Sequence, residues 1–139
     1  MKPVDRLLAT LLILGAAVTA LYWGSFYFGG AVRTSEARWY TAFESSFPLA
    51  DGWMALCMLA AGIGLWLGRA WGARAGLMAG AALLYLAAMD ITFDVENGMY
   101  ALAKTNDAMR FEIFINVTTV LLGIATLVVS WISLDRPTG

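Results

Sequence analysis

Four long apolar blocks decide what this chain can fold into. Residues 7–29, 49–68, 75–93 and 111–132 are runs with very few charges. A run of about 18 or more apolar residues is what a helix needs to cross the hydrocarbon of a bilayer. The whole chain is 60% hydrophobic and only 14% charged, well below the roughly 25% charge of a soluble domain. So much of its length is used in this way that no separate soluble domain fits. The sequence therefore predicts an all-α integral membrane protein: one domain over 1–139, with four transmembrane helices in a compact up-down bundle.

The first block begins like a secretory leader, with Lys2 and Arg6 ahead of "LLATLLILGAAVTA" and Val18-x-Ala20 in the place of a cleavage site. The apolar stretch continues through "LYWGSFYFGG", long enough to span, and is read as a retained first helix. Lysine and arginine in short loops set orientation. Lys2 and Arg6 precede the first block, and "GRAWGARAG" between the second and third carries Arg69 and Arg74 without an acid. The segment 90–112 holds Asp90, Asp94, Glu96, Asp107 and Glu112 against Lys104 and Arg110. Both termini are expected in the cytoplasm and the acidic third loop outside it. The first loop sets Arg33 and Arg38 against Glu36 and Glu44 and does not vote.

There is one cysteine, Cys57, and no histidine. An intrachain disulfide is impossible, and haem or zinc sites built on histidine are not expected. Ser-His and Cys-His nucleophilic catalysis is excluded as well. Carboxylates, amides, hydroxyls, aromatics and a few arginines remain for chemistry.

Between the first two blocks, "EARWYTAFESSFP" is amphipathic enough for a short interfacial helix. Trp39, Phe43 and Phe47, four apart, share a face that either anchors in headgroups or caps the bundle. "SSFP" then reads as a helix start, with a serine cap, Pro48 in the first turn and Asp51 favoured there by the helix dipole. Tyr22, Trp23, Phe26, Tyr27 and Phe28 crowd the end of the first helix. An aromatic belt explains such a cluster, and a ligand-lining role is the alternative. Gly64, Gly68, Gly72, Gly76 and Gly80 recur every four residues and predict a tight hairpin of the second and third helices. Asn97-Gly98 is either a turn or a point that the third helix passes before breaking. Asn106 or Asp107 caps the fourth helix, and Asp135, Arg136 and Pro137 end it in water. Asn116-Val117-Thr118 has the form of a glycosylation sequon but lies inside the fourth block, so it is discounted.

The candidate site is "MDITFD" facing "RFEIFIN". Asp90 lies about 22 Å along the third helix from Ala75 at 1.5 Å per residue, hence roughly 8 Å inside a ~30 Å core. Asp94 and Asn97 continue its stripe, and Glu112 and Asn116 share a face one helix away. A carboxylate in hydrocarbon costs at least ~2.5 kcal/mol unless it is paired, protonated or near water. Asp90 and Glu112 are therefore expected to point into the bundle, toward each other or toward a polar pocket open to the outside, with Asp94, Glu96 and Asp51 at its rim and Trp53, Tyr100 and Tyr27 as walls. Asp90, Asp94 and Glu112 are the candidate ligands of a hard divalent cation, which oxygen donors suit. The plain alternative is solvated acids at a helix end, or acids paired with Arg33, Arg38 or Arg110.

Three functions follow. The first is a pocket binding a cation or cationic small molecule, as in a transporter or channel subunit. The second is an intramembrane enzyme using carboxylate acid–base chemistry on a lipid or isoprenoid. The third is a structural or accessory subunit. The expected partners are the bilayer and further copies of the chain in a homodimer or larger assembly, without nucleic acid.

Overall fold

The computed structural model describes residues 2–135, all helix and connecting turns without a strand among them. Helix α1 covers Pro3–Gly24, α2 Arg38–Glu44, α3 Pro48–Trp66, α4 Ala70–Glu96 and α5 Asp107–Leu134. Four stretches are long and apolar enough to cross a membrane: Pro3–Gly29, Arg38–Trp66, Ala70–Glu96 and Asp107–Leu134. The third and fourth begin four or five residues earlier than their apolar blocks. "AWGAR" and "DAMR" are helix formers at polar helix ends, which hydropathy alone does not register.

The four long helices run antiparallel to their neighbours, and their order round the bundle is α1–α3–α4–α5, each packed on the next. The ring does not close, because α1 and α5 barely touch. Leu8, Leu12 and Ala16 of α1 pack with Met54, Met58, Ala61 and Leu65 of α3 and Ala79, Leu83 and Leu86 of α4 as the main core. Leu7, Leu21, Ile63, Tyr85, Phe114, Leu121 and Trp131 stand exposed round the outside. A soluble bundle would hide such residues, and lipid makes them unremarkable.

The glycine series splits between two seams. A Cβ on Gly64 would strike Gly72 backbone, and one on Gly72 would strike Gly64, so this pair alone sets the close α3–α4 approach. Gly68 turns the chain at φ 63°, a conformation that costs glycine little. Gly76 and Gly80 face α5 instead, where a Cβ on Gly80 would lie 2.7 Å from Leu127 Cγ and 3.0 Å from the Gly123 carbonyl. The expected α3–α4 hairpin is thus half of a longer small-residue ladder that also draws α5 in.

At the other end, α1 closes in a π-helical turn, Ser25–Gly29. Arg33 Nε donates to the Phe26 carbonyl at 2.8 Å, with its guanidinium 5.0 Å over the Phe26 ring. Helix α2 then sets its aromatic side chains against the end of α4. Phe43 stacks on Phe93 of α4 at 3.7 Å between centroids, and Trp39 and Phe47 pack beside this pair. The aromatic face of α2 is therefore a cap on the bundle. Ser46 bonds back to Phe43, and α3 starts at Pro48 with Phe47 at its N-cap and no side-chain cap, which corrects the expected serine cap. Helix α4 runs to Glu96, and Gly98 turns the chain at φ 64° into a 3₁₀ segment, Met99–Lys104. Asn106 caps α5, its Oδ1 accepting from Met109 N at 3.2 Å. Asp135 follows α5 directly, while Arg136 and Pro137 lie outside the described residues.

Candidate functional site

The cap changes the depth of every acid beneath it. Asp94 is 0% exposed and Glu112 and Glu44 are each 5% exposed, while Asp90 is half-buried. The expected rim position of Asp94 is corrected: Phe26, Tyr40, Met99 and Met109 form a second apolar cluster, flanked by Phe93, that seals this end of the bundle. Glu96 and Asp107 stay exposed, and Asp107 pairs with Arg110 at 2.7 Å.

Glu44, Asp90 and Glu112, from α2, α4 and α5, each offer a carboxylate oxygen, and the three oxygens lie within 4.8 Å of one another. Behind them, Asn116 Nδ2 donates to Asp94 Oδ2 at 3.2 Å and reaches Asp90 as well. The Asp94 and Glu112 carboxyls are within hydrogen-bonding range of each other. Tyr100, outside the spanning helices, is within reach of Asn116 and Asp94; burial, followed by the nearby Asp94 and Asp90 charges, pushes its hydroxyl above the usual tyrosine range despite an opposing Asn116 bond. It therefore stays a neutral donor.

The loop before α2 locks Glu112 in place. Thr34 Oγ1 donates to Glu112 Oε2, and the Tyr40 hydroxyl donates to the same oxygen at 3.4 Å. Asn106 Nδ2 donates to the Thr34 carbonyl at 3.0 Å, so the α5 cap also holds the loop. Tyr22 donates to Glu44 Oε2 at 3.3 Å, and Trp23 Nε1 donates to Asp51 Oδ2 at 2.9 Å. Among the described residues no lysine or arginine forms an ion pair with these acids. Arg33 pairs with Glu36 at 3.5 Å, and Arg110 is taken by Asp107 and by the Ala103 and Lys104 carbonyls. Glu112 Oε1 and Asp94 Oδ1 are buried with no donor, a costly state for a charged oxygen.

A cavity of about 320 Å³ opens from this cluster along the gap between α1 and α5. Glu44, Asp51, Asp90, Glu112 and Asn116 stand at one end with Tyr22 and Trp23. Leu14 and Val18 of α1, Phe114 and Thr119 of α5, and Met58, Leu83 and Ala87 beneath make the rest apolar.

Of the residues singled out in the sequence, Asp90, Asp94, Glu112, Asn116 and Tyr100 meet, and Asp51 joins them from the α3 side. Besides the exposed Glu96 and Tyr27, two others lie elsewhere. Asn97 is exposed, its amide donating to the Phe93 carbonyl at 2.8 Å, because α4 has ended there. Trp53 is 55% exposed on the outer face of α3 and does not line the cavity. The aromatic cluster of α1 divides: Tyr22 and Trp23 turn toward the acids, while Tyr27 and Phe28 face outward.

Glu44, Tyr40 and Thr34 were missed. Glu44 read as a loop charge balancing arginine. The signal was there in the four-residue spacing of Tyr40 and Glu44, which puts both on one face of α2, opposite the exposed Arg38 and Ala42. Nothing in the sequence marks Thr34.

Fold and site together define a bundle of four helices long and apolar enough to cross a membrane, with a capped carboxylate cluster and an open side. No protein family, curated protein or solved structure compared with the chain matches it.

Proposed function

We propose that this membrane protein binds a cation at Glu44, Asp90 and Glu112, with Asp94 and Asn116 supporting them and the pocket on the extracytoplasmic side. The observation that carries the reading is three convergent carboxylate oxygens with no basic side chain paired to them among the described residues. Carboxylates gathered in a poorly solvated place repel one another unless a positive charge or shared protons lie between them. Oxygen donors of this kind suit a hard metal ion or an ammonium group, and Tyr22 and Trp23 add aromatic faces that attract organic cations. Four helices enclose a transport path poorly, so a transporter role calls for a homodimer or larger assembly.

The test is thermal unfolding of the purified chain with calcium, magnesium, manganese, sodium and small amines, for wild type, Asp90→Asn, Glu44→Gln and Glu112→Gln. A cation present at 100 times its Kd stabilises the folded state by about 2.7 kcal/mol. Stabilisation by one cation, lost in all three variants, is the expected result. A wild-type protein indifferent to every cation ends the reading.

The second reading, an intramembrane enzyme acting on a lipid or isoprenoid, draws on the apolar cavity and on the neighbouring Asp94 and Glu112 carboxyls. Such a pair suits general acid–base work if its two members are held in different protonation states. Lipid profiles of cells carrying wild type and Glu112→Gln test it: a species that accumulates only in the variant supports an enzyme, and identical profiles count against one.

A further inference from the structure

We infer that the occupant of this site is an amphipathic amine drawn from the bilayer, its ammonium head among Glu44, Asp90 and Glu112 and its hydrocarbon tail along the gap between α1 and α5. The inference rests on the cation reading above and names the class of cation. Two independent features meet in it. Glu112 is almost wholly buried and lines the cavity with Glu44 and Asp90, and among the described residues no lysine or arginine pairs with them, so the polar end asks for a positive charge. The remaining walls, Leu14 and Val18 on one side and Phe114 and Leu122 on the other, are mostly apolar, with the Thr19, Thr118 and Thr119 hydroxyls as their polar groups, and suit a hydrocarbon tail better than a hydrated metal ion.

The lengths agree. From Glu112 to Leu122 along α5 is about 15 Å, and from Tyr22 back to Leu11 along α1 about 16 Å, at 1.5 Å per residue. Both lines belong to the cavity wall from end to end, so a straight alkyl chain lies beside each helix while its head stays at the acids. Charge complementarity selects the head. The carboxylates exclude a fatty acid or an anionic lipid headgroup, which would add a like charge to an unbalanced cluster. The direction of entry follows from the open seam: α1 and α5 barely touch, whereas α2 and its aromatic face close the bundle end.

The test uses the full chain in lipid nanodiscs, with thermal unfolding followed against methylammonium, butylammonium, dodecylammonium, dodecanol, magnesium and calcium. Concentrations are expressed in the bilayer, after each probe's own partitioning has been measured. Dodecylammonium should stabilise wild type at least about tenfold more tightly than butylammonium, a 1.4 kcal/mol difference, and dodecanol should not stabilise it. Thr119→Trp and Val18→Trp, which fill the gap from opposite walls, should lose that advantage while keeping the butylammonium response. Should one of them fail to fold, the other carries the test. Equal binding of the two amines, or a full dodecylammonium response in both tryptophan variants, would overturn the amphiphile while leaving the cation site standing. Dodecanol equal to dodecylammonium would overturn the inference at its head, because the acids would then not be reading the ammonium. Silence toward every amine and both metals would bring down the parent reading as well.

Discussion

The two flanks of α5 are built on opposite rules. Toward α4, Gly76, Gly80 and Gly123 bring the helices so close that an added Cβ meets Ser130, Leu127 or Leu84. Thr126 and Ser130 are fully buried in that seam. Toward α1 the same helix leaves a gap of about 320 Å³. In lipid, helix association depends on close van der Waals contact and not on hydrophobic exclusion, so small residues on both partners draw a seam shut. Leu14 and Val18 facing Phe114 and Thr119 provide no such fit. The open seam therefore follows from side-chain size, and it is the flank on which the acids give a ligand something to hold.

The comparison breaks most readily at the tight flank. Gly80→Leu drives a branched side chain into Leu127 and the Gly123 carbonyl. It should cost about 3 kcal/mol or more, read as a large fall in melting temperature in detergent or as loss of folded protein. Unchanged stability would mean that the α4–α5 seam is not close-packed. The cap comes next. Phe43→Ala removes the ring stacked on Phe93 and should cost about 2 kcal/mol. Because Glu44 is its neighbour on α2, the same variant should also weaken cation-dependent stabilisation. Lost stability with cation binding intact would separate the cap from the site.

How much of this was legible follows from what each feature depends on. The four spans depend on summed hydropathy, which is local, and the helices stand where the apolar blocks stand. Asp90, Glu112 and Asn116 were legible because a charge or amide within an apolar run is conspicuous in lipid. Asp94 was legible as a candidate but not in its depth: it looked like the wet end of a helix, and only Phe26, Tyr40, Met99 and Met109, from four different segments, make that end dry. Glu44 was hidden for the same reason, since a charge in a polar loop is ordinary until α2 folds over the bundle. The open α1–α5 seam could not be read at all, because it depends on which helices fail to meet.

The hold of the loop on Glu112 is a smaller effect. Thr34→Val keeps the shape of the side chain and removes its hydroxyl donor, leaving Glu112 Oε2 with Tyr40 alone. The expected loss is about 1–2 kcal/mol in the absence of ligand. If the cation supplies what the hydroxyl no longer does, the difference from wild type should narrow at saturating cation. A deficit that persists unchanged at saturation would mean that Thr34 serves the fold alone.

The smallest effect on stability is expected at the open flank, and it sharpens the comparison most. Thr119 sits one turn from Gly123 on α5, at a level where that helix lines the open gap and is not drawn tight on α4 by a glycine. Thr119 is only partly buried where it lines the gap, so the new ring of Thr119→Trp has open space to enter. The melting temperature without ligand should stay close to wild type, within about 0.5 kcal/mol. A loss comparable to that of Gly80→Leu would mean that α1 and α5 close on each other in the bilayer. In that case the acids would sit in a sealed bundle, and a cation would have to reach them past α2.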